Sequence, residues 1–231
     1  MFRNVNKTIR ESIYGVLCTS AVENNQTVCG TGTAFMIAPG VCATAAHVLH
    51  LDGDNTKALH QRIEIIRAPD IGTPMLVATL IAEDTERDLA LIKIINPSNS
   101  SVITLYKTKI DSGINTGALG FPLAQVSLIN NQITYKLTER FQGAHISAYN
   151  LAAYPHANPQ NITLDTYETD SLTYSGSSGC PGFTTEAKCF GMVIGSVSEK
   201  NNTENSARLA ISLWVPSMDI INFAAGNGII I

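Results

Sequence analysis

The sequence predicts an all-β protein, two small barrels or sandwiches in tandem, closed by one short helix. Three observations lead there. Strand-length runs of apolar and β-branched residues recur through the 231 residues. Asn/Gly/Asp clusters such as VENNQT and LDGDNT punctuate them as turns. A helical pattern with a start and a stop signal occurs only near the C-terminus.

The first half holds four strand patterns: SIYGVLCTSAV (12–22), TGTAFMIAPGVCATAA (31–46), MLVATLIAE (75–83) and LALIKII (89–95). AAHVLH (45–50) suits a single helical turn. Residues 96–117 are mostly polar with isolated apolar anchors and read as the connection between halves. The first unit is expected over 1–110 and the second over 111–231. The second restarts at ALGFP (118–122) and continues with VSLINNQITYKLTE (126–139), AHISAYNL (144–151), NITLDTYE (161–168), CFGMVIGSVS (189–198) and ARLAISLWV (207–215). The central Asn130-Asn131 pair is a hairpin-turn signal. Ser217 stands as an N-cap before MDIINFAA, with Gly226 as a stop.

Composition narrows the function classes. Hydrophobic residues make up 45% of the chain, ample for a packed core. The net charge is −4 and no basic stripe is present, which argues against a nucleic-acid partner. Apolar runs end well short of the roughly 18 residues a membrane helix needs, so no membrane span is expected. The N-terminal MFRNVNKTIRESIYGVL lacks the apolar run of about 7–15 residues of a secretory signal. The chain is therefore expected to be cytoplasmic, or else an exported mature form with its signal removed. The five cysteines are an odd number, and each lies beside small or apolar residues. Buried thiols in a reducing compartment are expected. Without a CxxC pair, a structural zinc site is not expected.

Three residue sets carry chemistry. In GSSGCP (176–181), Gly176 and Gly179 permit positive φ around Ser178. The amides of Gly176 and Ser178 can then converge on one point as an oxyanion site. Alone, the motif reads equally as a turn between strands. His47, in CATAAHVLH, ends a strand with small residues behind it and is a candidate base, or a structural histidine. His50, His60, His145 and His156 read as surface or structural. Asp88 stands directly before the apolar run LALIKI, where a carboxylate is partly buried and needs a partner such as an imidazole N–H. Taken singly, it is also an ordinary turn aspartate.

Together, and in the order His, Asp, Ser, these motifs resemble the chymotrypsin/trypsin-like serine peptidases. The closest pattern is that of bacterial Deg/HtrA-type protease domains without a PDZ domain. GTGTAFMI resembles the family's strand before the histidine. ALGFP resembles the opening of its second barrel, GMVIGS its substrate-pairing strand, and ISLWVPS its closing segment before a helix. The resemblance covers roughly residues 12–225. It implies a chymotrypsin-like double β-barrel, with His47 and Asp88 on the first barrel and Ser178 on the second. The implied activity is a serine endopeptidase working through a His47/Asp88/Ser178 triad and an acyl-enzyme, with no metal or other cofactor needed. A catalytically silent or partner-gated domain that binds peptides is the alternative.

The resemblance further implies a protein or peptide substrate. The missing secretory signal leads to the expectation that a cytoplasmic peptidase is restrained by a regulatory protein partner, an oligomeric contact or a disordered active-site loop. Substrate-binding positions carried over are Leu172, Thr173, Ile194, Gly195, Ser196 and Trp214. They lack an acidic residue to receive Arg or Lys, so a small or medium apolar residue before the cut is expected. Two departures stand out. Ser177 occupies the place of the family's Asp or Asn, so an ion pair to a freed N-terminus cannot form, and activation by that route is not expected. Cys180 replaces the second glycine of the family motif.

Overall fold

Strand patterns in the first half fold into a closed six-stranded barrel. The computed structural model describes residues 2–22, 26–67, 75–97, 101–129, 132–154, 156, 162–200 and 206–231. The barrel runs β1 (Ile13–Val22), β2 (Gln26–Ala38), β3 (Val41–Ala45), β4 (Arg62–Arg67), β5 (Leu76–Asp84) and β6 (Leu89–Ile94). They close in the order β1-β2-β3-β6-β5-β4, all antiparallel where they pair. Closure leaves no free edge, which suits an apolar all-β half.

The second half builds a seven-stranded sheet from β7 (Thr104–Leu105), β8 (Asn115–Gly120), β11 (Arg140–Ala153), β12 (Thr163–Thr169), β13 (Pro181–Thr184), β14 (Lys188–Lys200) and β15 (Ser206–Pro216). Its order is β13-β8-β11-β12-β15-β14-β7, and a further β13–β14 pairing turns the row back on itself. A separate hairpin pairs β9 (Gln125–Ile129) with β10 (Gln132–Lys136). The Asn130-Asn131 turn expected between them lies outside the described residues. By pairing, β7 belongs to the second sheet although it precedes the boundary expected at 110/111: it runs parallel to β14.

The expected C-terminal helix is present as α2 (Ser217–Gly226), with one correction. Pro216, not Ser217, occupies the N-cap, because Ser217 Oγ donates instead to the Tyr106 carbonyl at 2.8 Å. A second helix, α1 (Arg3–Arg10), has no strong sequence signal, since only Ile9 on it is buried. Its anchoring is tertiary. Phe2 packs on Phe141 and edge-on to Phe183, and Arg10 pairs with Glu139. One buried apolar cluster joins both halves, from Val16, Phe35 and Leu91 to Phe183, Met192 and Ile220. Among the described residues no helix is long and apolar enough to cross a membrane.

Candidate active site

His47 and Asp88 are brought together by strand register. β3 pairs with β6 so that Ala45 faces Leu89. The residues just beyond, a short 3₁₀ turn over Ala46–Leu49 and Asp88, therefore meet at one barrel end. Ala46 N–H donates to the Asp88 carbonyl at 3.1 Å. Asp88 is fully buried and adopts φ 53, a left-handed conformation that aspartate tolerates better than most residues. Its carboxylate collects three donors: His47 N–H at 2.8 Å, His47 Nδ1 at 2.6 Å and Asn55 Nδ2 at 3.2 Å. Burial alone would raise the Asp88 carboxyl, but the neighbouring His47 and these hydrogen bonds outweigh it and hold it below its ordinary value.

Ser178 arrives from the other half. It sits between Gly176 (φ 87) and Gly179 (φ 86), with its Oγ 2.8 Å from His47 Nε2. With Asp88 ionised, Nδ1–H donates to the carboxylate and Nε2 accepts from the serine hydroxyl. Such a line draws the proton from the serine oxygen as that oxygen attacks an electrophile.

The turn around Ser178 is clamped to β2. Thr33 N–H donates to the Ser178 carbonyl at 2.8 Å, and Thr33 Oγ1 donates to the Gly176 carbonyl at 3.0 Å. A Cβ at Gly176 or at Gly179 would collide with backbone oxygens, of Phe121 and Thr33 respectively. Both positions therefore need glycine for space as well as for φ. Among the described residues neither the Gly176 nor the Ser178 amide donates to a backbone carbonyl, so both are free to receive an outside oxygen.

A family model for the trypsin-like peptidase domain matches residues 32–192. The chain belongs to the trypsin-like peptidase family. The Rv3671c protease from M. tuberculosis, in its active form, superposes with a TM-score of 0.71 at 17% identity, over 98% of this chain and 85% of that one. The inactive form of the same protease gives 0.67 at 18% identity, over 97% and 92%. Its inactive-form serine-to-alanine mutant gives 0.68 at 16%, over 97% and 90%. At these identities the likeness establishes the chymotrypsin-like fold. No curated protein sequence matches this chain.

In this trypsin-like domain His47 and Ser178 line an open cleft of about 490 Å³, with Asp88 buried behind His47. Thr173, Gly176, Val193, Ile194, Gly195 and Ser196 form its second-half wall. Two of the carried-over substrate positions, Leu172 and Trp214, are not on it, but Trp214 lines a second pocket that shares Thr173, Tyr174 and Val193 with this cleft. Trp214 points into the second half, packing on Phe190 at 5.3 Å and donating Nε1–H to Thr169 Oγ1 at 3.0 Å. Leu172 offers its carbonyl to Gln142 Nε2 at 2.8 Å and does not line the cleft. Thr173, Ile194, Gly195 and Ser196 do line it.

Three residues at the site escape the motif reading. Thr33 is hidden in an ordinary strand pattern. Asn55, inside a turn cluster, donates Nδ2–H to Asp88 and to the His156 carbonyl at 2.6 Å. His156 stacks on the His47 ring, centroids 3.9 Å apart and planes 22° apart. The other histidines have partners elsewhere: His50 with Glu83 and the Lys57 carbonyl, His60 with Ser20, His145 with Asp170. All five cysteines are free, and four are buried. Cys29 departs from the expected burial: it is exposed on the cleft wall, where β2 runs past the site. Among the described residues no group of three metal-ligating side chains converges.

Proposed function

We propose that the protein is a serine endopeptidase that hydrolyses peptide bonds through an acyl-enzyme on Ser178. The observation that carries this reading is the unbroken line from Asp88 Oδ2 through His47 to Ser178 Oγ, at 2.6 and 2.8 Å, opening on the cleft. Ser178 Oγ attacks the scissile carbonyl while His47 Nε2 takes its proton. The same proton goes to the leaving amine as the carbon–nitrogen bond breaks. Water then repeats the sequence and releases the acid. Asp88 fixes the imidazole tautomer and stabilises the imidazolium. The tetrahedral oxyanion sits on the Gly176 and Ser178 amides; one such donor is worth about 10²–10³ in rate.

The expectation of an apolar residue before the cut is supported by the second-half wall of Thr173, Gly176, Val193, Ile194, Gly195 and Ser196, which carries no charged side chain. Asp52, an acidic residue of the cleft, is paired with Lys57 at 2.7 Å. A substrate strand adds alongside Gly195 by main-chain hydrogen bonds.

A fluorophosphonate probe tests the reading. The purified protein should form one adduct, on Ser178, and the Ser178→Ala variant none. A folded native protein without an adduct overturns it. Cleavage of a peptide library, with Ser178→Ala as control, reports the preferred residue before the cut.

A further inference from the structure

His156 belongs to the connection between β11 and β12 of the second half, yet its ring lies flat on His47 of the first. Its backbone is tied there too. The His156 carbonyl accepts from Asn55 Nδ2, the same nitrogen that donates to Asp88 Oδ1. Asn55 is buried, so this bracket holds the stacked pair to the carboxylate away from solvent. The His156 ring also borders the cleft.

The stack bears on catalysis because His47 changes charge during the reaction. When Ser178 attacks, His47 becomes an imidazolium. A neutral aromatic face 3.9 Å away attracts that cation, whereas a charged ring repels it. We propose that His156 is a positioning residue for His47: as a neutral ring it steadies the imidazolium formed during attack, and as a cation it opposes that imidazolium and switches the site off in acid. This rests on the peptidase reading above.

The surroundings favour the neutral ring near neutral pH. Burial lowers the His156 pKa below its ordinary value of 6.5, and His47 lowers it further. Asp88, Asp54 and a hydrogen bond to the Gly53 carbonyl act the other way without reversing the direction. These are the ionisable groups that face the ring from the first barrel; what opposes them is chiefly desolvation. Protonation of His156 therefore requires acid, and activity is lost as pH falls through that ionisation.

Two variants and one titration test the inference. His156→Phe keeps a stacked ring without a proton. His156→Ala removes the stack. In wild type, log kcat/KM should fall on the acid side with a limiting slope of two protons, and in His156→Phe with a slope of one. His156→Ala should lower kcat roughly 2- to 10-fold, the range expected of one aromatic contact, with little change in KM. Independently of turnover, an NMR titration should show the His156 pKa rising in His47→Ala, since coupling between two sites is reciprocal. An unchanged two-proton limb in folded His156→Phe overturns the inference while leaving the peptidase reading intact. So does an unchanged His156 titration in His47→Ala. Conversely, coupled titration in a native protein that takes no fluorophosphonate supports the His47–His156 contact and sinks the peptidase reading instead.

Discussion

Thr33 on β2 and Gly176 in the glycine-flanked turn around Ser178 are joined by a single hydrogen bond, Oγ1 to carbonyl at 3.0 Å, across 143 positions of chain. The same Oγ1 accepts from Phe121 N–H at 3.1 Å and from Cys180 Sγ at 3.3 Å. One hydroxyl of the first barrel thus fixes three points around the Ser178 turn of the second half.

Thr33→Val keeps the shape and removes those bonds. Each buried group left unpaired costs about 1–3 kcal/mol. Urea unfolding should show a loss of that order or more, and kcat/KM should fall with it. Thr33→Ser, which restores the hydroxyl, should recover most of both.

Asp88→Asn keeps the size of the side chain but favours the wrong imidazole tautomer. A fall in kcat on the order of 10⁴ is expected, with KM little changed. The variant also reports on stability. The folded Asp88 pKa lies below the ordinary 3.8, so its ionised form contributes stability in full above that value. The contribution is lost as pH falls through the depressed folded pKa. The stability gap between wild type and Asp88→Asn, measured by denaturant titration, should be constant above pH 5 and close in stronger acid.

Asn55→Ala releases both Asp88 Oδ1 and the His156 carbonyl. A hydrogen bond to a charged group is worth about 1.5–3 kcal/mol, so kcat/KM should drop roughly 10- to 100-fold. The readout is steady-state kinetics beside a melting curve. A loss of melting temperature without loss of turnover would make Asn55 a purely structural residue.

Gly120→Ala places a Cβ against Cys180 Sγ and Thr33 Oγ1. It should destabilise the protein by about 1–3 kcal/mol through overpacking. Cys180→Gly removes the sulfur from that contact, so the double variant should be more stable than the sum of the two single losses. A double-mutant cycle with no coupling would contradict this packing.

That packing accounts for Cys180, whose place in GSSGCP the sequence leaves unexplained. The thiol fills the space over Gly120, a residue distant in sequence. Much of the molecule was legible without such contacts. Strand runs and turn clusters are local signals, and they announce the all-β fold and the short C-terminal helix. His47, Asp88 and Ser178 could be singled out because each lies in a local pattern with its own physical meaning: a strand end, a carboxylate before an apolar run, and a glycine-flanked turn. Thr33, Asn55 and His156 could not. Their partners lie 143, 33 and 109 positions away, and nothing beside them in the chain distinguishes them from ordinary strand and loop residues. Leu172 and Trp214 lie off the cleft for a related reason: counting along a family pattern predicts position but not facing, and Trp214 satisfies its indole N–H on Thr169. α1 is silent in the sequence because Phe2 and Arg10 find their partners only after the second half has folded.

The division of His47 and Asp88 from Ser178 has a bearing on biosynthesis. A ribosome makes the barrel with His47 and Asp88 first, and domains tend to fold as they emerge. The proposed nucleophile, Ser178, is not part of that barrel. Under the proposed mechanism the growing polypeptide therefore gains the means to cut itself or its neighbours only when the last strands have been made and have docked.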